Sequence, residues 1–302
     1  MSSFLPQTGP RDGIPASAAD PRLARVAVQV APQHASYAAL RAVACQLDEL
    51  GVDVLLTWDH FVPLSGDLGG MHFECWSILA GWAEATHRAQ LGPLVSCTAY
   101  RNPNLLADIA RTVDHISGGR VVLGTGSGWH EQEFADYGFD VKTAGARLDD
   151  LAAHLPVLRT RLARLNPPPI GPMPLLVGGG GERKTLRIVA EHADIWHGFG
   201  DPATLRHKHL VLDEWCRSLG RDPLAIERSA GVAFQPSRRG TQRGLPWAEH
   251  AERLYAVGTR LFQLALCEPP YDLGQVRDLL AWRDEVNRRP SQHPDAIAWP
   301  GA

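Results

Sequence analysis

A (β/α)8 barrel is the fold class that this sequence predicts, and three observations carry it. Short apolar, β-branched runs alternate with longer helical patterns, and the alternation repeats eight times. The runs are apolar on both faces, as parallel strands covered on both sides must be. Several of them end in glycines or in polar and aromatic residues, as strands do at the ligand-binding face of such barrels. An open, doubly wound sheet is the competitor; the count and order of the units favour closure.

The elements are predicted in order. Strand 25–30 precedes helix 37–50, strand 54–57 precedes helix 73–85, and strand 89–97 precedes helix 104–116. Strand 121–124 is followed, after a loop, by a long helix over 147–165. A proline-rich connector, 166–174, cannot continue that helix. Strand 175–177 leads to helix 182–192, strand 194–197 to helix 202–219, strand 226–234 to helix 247–257, and strand 260–266 to helix 273–287. The barrel is expected to span 23–290. Residues 1–22, rich in Ala, Pro, Gly and Ser without an apolar core, read as a flexible tail, and 291–302 as a C-terminal tail.

Composition narrows the function classes. A net charge of −3 suggests neither a nucleic-acid nor a membrane surface. No apolar run approaches the roughly 18 residues of a membrane span. Five scattered cysteines without a CxxC pair favour a reducing cytoplasm and no zinc site. His130 and His197 lack acids or cysteines at ligand spacing, so no metal is expected.

The chemistry-bearing residues fall at strand ends. The stretch from Gly118 to Glu131 runs a short strand into Gly124, Gly126 and Gly128 at alternate positions, then Trp129. Glycine lets backbone approach a bound molecule and adopts positive φ cheaply. Gly178, Gly179, Gly180 and Gly181 precede a helix, where free N–H groups and the helix dipole would favour a phosphate. Arg183 and Lys184 add charge there, and no Walker pattern is present. After the second strand comes Trp58-Asp59-His60-Phe61. On residue type alone His60 is either a general acid/base or a ring packed under Phe61. Asp59 either binds a ligand or orients the loop. Glu131 and Glu133 are either proton carriers or solvated acids at a helix start. Trp129 and Trp196 suit the wall of a flat cofactor but also ordinary packing. Asp114, His115 and Arg120 read as structural holders of the turn before the fourth strand.

Taken in order, these pieces resemble the bacterial luciferase-like monooxygenase superfamily, and within it the branch that uses the deazaflavin coenzyme F420. The resemblance runs from about Val26 to Phe262. It rests on Trp58 to Phe61, Arg101-Asn102-Pro103 with Thr112 to Arg120, the turn Gly124 to Trp129, and Gly178 to Gly181 followed by Ala193-Asp194. It implies a luciferase-like TIM barrel with the cofactor ring across its mouth and the cofactor phosphate on Gly178 to Gly181. It implies a bulge with a non-proline cis peptide in the third strand, at Leu94–Val95 or a neighbouring bond. Asp59, His60, Leu94, Val95, Ser96, Gly126, Ser127, Gly128 and Trp129 would then contact the cofactor. By its place at a strand end and its imidazole chemistry, His60, with Glu131, is the expected carrier of the proton chemistry. The resemblance also implies a homodimer.

Two departures matter. Sugar-phosphate dehydrogenases of the superfamily place a glutamate in the strand-four turn, where this chain has Ser127. They also place a tryptophan shortly after the Asp-His pair, where this chain has Leu64. Both argue against glucose-6-phosphate oxidation. The expected activity is hydride transfer between F420 and a small organic substrate. The alternatives are an FMN-dependent monooxygenase and a barrel that binds flavin without turnover.

Overall fold

Nine parallel strands and nine α-helices make up most of the described residues of the computed structural model, which are 23–232 and 247–289. The strands are β1 (Arg25–Val30), β2 (Val54–Thr57), β3 (Gln90–Pro93), β4 (Ser96–Cys97), β5 (Leu123–Gly126), β6 (Leu175–Gly178), β7 (Ile195–Gly198), β8 (Glu227–Gly231) and β9 (Leu261–Leu266). The helices are α1 (Tyr37–Leu50), α2 (Cys75–Ala85), α3 (Pro103–Ser117), α4 (Glu131–Asp136), α5 (Ala144–Arg164), α6 (Thr185–His192), α7 (Pro202–Ser218), α8 (Trp247–Ala256) and α9 (Gly274–Arg288). The expected tails, and the ends of the strand and loop between 233 and 246, lie outside the described residues.

The hydrogen-bonded order is β3-β2-β1-β9-β8-β7-β6-β5-β4. Its two ends, β3 and β4, are halves of a single stave. A parallel bridge between Leu91 and Val121 joins β3 to the stave of β5, and β4 pairs Ser96 with Thr125 and Cys97 with Gly126. Eight staves therefore close the ring, and the fold is the predicted (β/α)8 barrel. The third strand, expected to run unbroken over 89–97, is interrupted at Leu94–Val95, whose peptide is cis. That is the bond named from the resemblance.

Strand-to-helix boundaries follow the caps. Asn102 accepts from the Asn104 N–H and Pro103 opens α3, one residue earlier than expected. Thr143 caps α5, which starts at Ala144 rather than 147. Glu74 caps α2 by accepting from the N–H groups of Trp76 and Ser77, so that helix starts at Cys75 instead of 73. The α6 helix starts at Thr185, three residues after the predicted start, because a turn over 182–184 lets Leu186 N–H reach back to the Gly181 carbonyl. The α4 helix was not anticipated; it is a six-residue element capped by His130.

Two apolar layers result. Helices pack on the outer strand faces in one large core that includes Val26, Leu55, Trp82, Leu155 and Trp196. Inside the barrel, Ala27, Val54, Leu56, Val122, Leu176, Ile195 and Leu261 form the lumen core, and half-buried Leu94 and Val95 pack on it. Asp114, His115 and Arg120 hold the turns around the fourth stave, His115 through its Nε2 at 2.8 Å from the Pro168 carbonyl. Arg120 donates to the carbonyls of Ala83, Thr86, Ala89 and Ser117, and Asp114 accepts from the N–H groups of Ile170 and Gly171. No described helix is long and apolar enough to cross a membrane.

Candidate functional site

The site is built where β2, β4, β5, β6 and β7 end. Asp59 follows β2 and is 2% exposed. Its Oδ2 accepts from Arg101 Nη1 at 2.5 Å and from the Cys97 N–H at 3.1 Å, and its Oδ1 accepts from Arg101 Nη2 at 3.0 Å. Arg101 also donates to Glu74, the cap of α2, at 2.7 Å. Burial pushes the Asp59 carboxyl above its ordinary value, and the Arg101 pair and the Cys97 N–H counter part of that push. Both Asp59 oxygens are thus engaged inside the protein, locking the β2 end to β4 and α2.

His60 is held by Glu133, which the sequence alone reads as either a proton carrier or a solvated acid. Its Nδ1 lies 2.6 Å from Glu133 Oε2. Glu133, 1% exposed, accepts at Oε1 from the N–H groups of Phe61 (2.6 Å) and Val62 (3.3 Å), and at Oε2 from the Tyr100 hydroxyl (2.7 Å). Burial alone would raise the Glu133 carboxyl; donation from His60, Phe61 and Tyr100 outweighs it and brings the value down to about 2. Burial and the bond to Glu133 both push the Tyr100 hydroxyl up. Glu131 points elsewhere: its side chain is 62% exposed and meets Arg147 at 3.3 Å.

Aromatic rings surround His60 edge-on. Trp58, Trp129 and His130 have centroids at 6.3, 5.5 and 5.8 Å from it. Trp58 Nε1–H donates to His72 Nε2, and burial lowers His72 to about 4, so that ring is a neutral acceptor at neutral pH. Trp129 is 63% exposed at the mouth, while Trp196 is fully buried with its Nε1–H donated to the Gly179 carbonyl.

The glycines divide by role. A Cβ on Gly126 would lie 2.6 Å from Val95 Cγ2, and one on Gly128 would meet Cys97 Sγ at 2.5 Å with φ at +74°. These positions are small because neighbouring side chains fill the space. Ser127 is half-buried between them. Ser96 is fully buried and accepts from Trp76 Nε1, so its hydroxyl faces α2.

The four-glycine turn is different. The carbonyls of Gly179, Gly180 and Gly181 accept from Trp196, Lys208 and Leu186. Gly179 N–H donates to the His197 carbonyl. Among the described residues the N–H groups of Gly180 and Gly181 meet no acceptor. A cavity of about 420 Å³ lies beside them, lined by Leu148, Gly180, Gly181, Glu182, Arg183 and Lys184. Lys184 is drawn to Asp149 at 2.6 Å, and Arg183 is exposed. Lys208 of α7 donates to the Gly180 carbonyl, a contact that sequence reasoning missed because no local pattern ties α7 to β6.

The closed barrel with this mouth belongs to one family. The luciferase-like monooxygenase family model matches residues 22–239, and the chain is a member of that family. Among curated relatives, the F420-dependent glucose-6-phosphate dehydrogenase of Amycolatopsis mediterranei is 36% identical over 93 residues, which are 30% of this chain and 28% of that protein. The chain spans between 28% and 58% of the length of the curated relatives it matches. Among solved structures, an F420-dependent secondary alcohol dehydrogenase superposes with a TM-score of 0.73 at 16% identity, covering 88% of this chain and 99% of that one. The oxygenating constituent of 3,6-diketocamphane monooxygenase from Pseudomonas putida, solved with FMN, superposes with a TM-score of 0.56 at 15% identity, covering 68% and 66%. Both structural likenesses are likenesses of fold.

Proposed function

We propose that this protein is an oxidoreductase that transfers a hydride between coenzyme F420 and a small organic substrate. The observation that carries this reading is the His60–Glu133 pair at the barrel mouth, beside exposed Trp129. The residues fit the cofactor. The N–H groups of Gly180 and Gly181, with Lys208 and Arg183 nearby, form a cradle for its phosphate. Basic residues at that turn also suit an acidic tail. Bound there, the deazaflavin ring supplies or takes up the hydride. His60 holds or moves the accompanying proton at Nε2, since Nδ1 is committed to Glu133. Asp59 keeps the β2 end in place, and Trp129 shields one side of the mouth from water. The family resemblance supports a homodimer, and five free cysteines support a reducing, cytoplasmic setting.

An FMN-dependent monooxygenase is the second reading, favoured by the likeness to the FMN-bound structure. Titrating the purified protein with F420 and with FMN, while following bound-cofactor absorbance and oxygen uptake, separates the two. Tighter binding of F420 without oxygen uptake is expected. Tighter binding of FMN with rapid oxygen uptake selects the monooxygenase. Flavin binding with no turnover across a substrate screen selects the non-catalytic barrel.

A further inference from the structure

We propose that Glu133 is the positioning residue of this site: it fixes His60 as the Nδ1–H tautomer and so leaves Nε2 as the ring atom that exchanges a proton with a bound molecule. The link to hydride transfer rests on the oxidoreductase reading; the tautomer is a property of the protein alone.

Glu133 has no freedom to choose its roles. The N–H groups of Phe61 and Val62 can only donate, so Oε1 must accept. Both fall on the backbone just after His60, so the acid grips the segment that carries the ring. An ionised carboxylate has no hydrogen to offer, so Oε2 also accepts, from Tyr100 Oη–H at 2.7 Å and from His60 at 2.6 Å. His60 Nδ1 must therefore carry the hydrogen, and in the neutral ring Nε2 carries the lone pair. The edge-on rings of Trp58, Trp129 and His130 oppose rotation of the imidazole. The titratable groups facing His60 are Glu133 and His130 from α4 and its cap, and His72 from the segment before α2; Tyr100 acts through Glu133. Asp59, its chain neighbour, is turned to Arg101.

Replacing Glu133 with glutamine makes a sharp prediction. The two backbone donors claim the amide oxygen, which turns the NH2 toward His60 and Tyr100. Nδ1 then becomes the acceptor and the hydrogen moves to Nε2. A role in loop packing alone would not reverse the tautomer.

The experiment is histidine-side-chain nitrogen NMR on the ligand-free protein, with the His60 signals among the thirteen histidines assigned by their loss in His60→Asn. At a pH where His60 is neutral, the wild type is expected to show a protonated Nδ1 and a bare Nε2. Glu133→Gln is expected to shift the tautomer ratio at least about tenfold toward Nε2–H, the size of one hydrogen bond to a charged group. Tyr100→Phe should leave the wild-type tautomer in place. A wild-type ring protonated at Nε2, or a Glu133→Gln ring unchanged from wild type, overturns the proposal. The wild-type spectrum decides by itself should Glu133→Gln fail to fold. Under F420-linked assay, Glu133→Gln should lower kcat with little change in KM. A reversed tautomer with undiminished turnover would leave the tautomer assignment standing and overturn the proton exchange at Nε2.

Discussion

Gly126→Ala should destabilise the barrel through one contact, and the contact can be removed independently. The new Cβ would lie 2.6 Å from Val95 Cγ2, and the next atoms are Val95 Cβ at 3.8 Å and the Gly178 carbonyl at 3.9 Å. Only the Val95 methyl stands in the way, but Val95 rests on the lumen core and touches the space beside Gly178 at 3.3 Å as well, so it has little room to turn. Overpacking of this kind costs about 1–3 kcal/mol. Val95→Ala alone removes two methyls from a half-buried position and should cost about 1–2 kcal/mol. In the double variant no atom remains inside 3.8 Å of the new Cβ. The cost of the double variant should then fall short of the sum of the two single costs by at least about 1 kcal/mol. Urea unfolding of the four proteins, followed by circular dichroism and extrapolated to water, measures each corner of the cycle. Additivity within about 0.5 kcal/mol would refute the idea that Val95 keeps position 126 small. So would a fully stable Gly126→Ala that had lost cofactor binding, since the glycine would then serve ligand approach instead.

Three further outcomes are expected. His60→Ala should lower turnover by roughly 10²–10⁴-fold with cofactor affinity changed only a few-fold, measured by steady-state kinetics and cofactor titration. Lys208→Ala should weaken F420 binding by about tenfold, or ~1.4 kcal/mol, in a fluorescence titration, because it takes away the cation that touches the Gly180 turn. The Glu133 carboxyl is depressed from 4.5 to about 2, so its contribution to stability, about 3 kcal/mol, is fully present above pH 4.5 and is lost as pH falls toward 2. The stability gap between wild type and Glu133→Gln should therefore narrow between pH 5 and pH 3 in denaturant titrations, by about 1 kcal/mol at pH 3.5; a gap constant with pH would contradict this.

The alternation of strands and helices was legible because buried parallel strands leave uninterrupted apolar runs, such as Val54–Thr57, that helices do not. Helix starts were less legible, since they depend on which side chain or carbonyl satisfies the first N–H groups: Gly181 does this for α6 from a turn that propensity does not mark. The mouth residues could be found, but not paired. Glu131 and Glu133 sit two positions apart on α4, and helical geometry sends such neighbours to different faces. Which one meets His60 depends on how α4 docks over β2, seventy-three positions away in the chain. Tyr100 and Lys208 enter from elements whose sequences carry no trace of the contact. The break at Leu94–Val95 was visible only through the resemblance, because the run from Ala89 to Cys97 reads as one continuous strand.

The split third stave gives the barrel a seam, and under the proposed function the seam would lie beneath the bound cofactor. Below it, Leu91 and Val121 fasten the ring; above it, Ser96 and Cys97 do. In between, Leu94 offers its carbonyl to Gln29 across the lumen instead of to a neighbouring strand. A molecule resting on Leu94 and Val95 would press on the joint where the ring is closed. Occupancy and closure would then be one equilibrium, with bound ligand adding stability as the logarithm of one plus the ratio of its free concentration to its dissociation constant. A thermal-shift screen would accordingly serve this protein as a search for its own ligands.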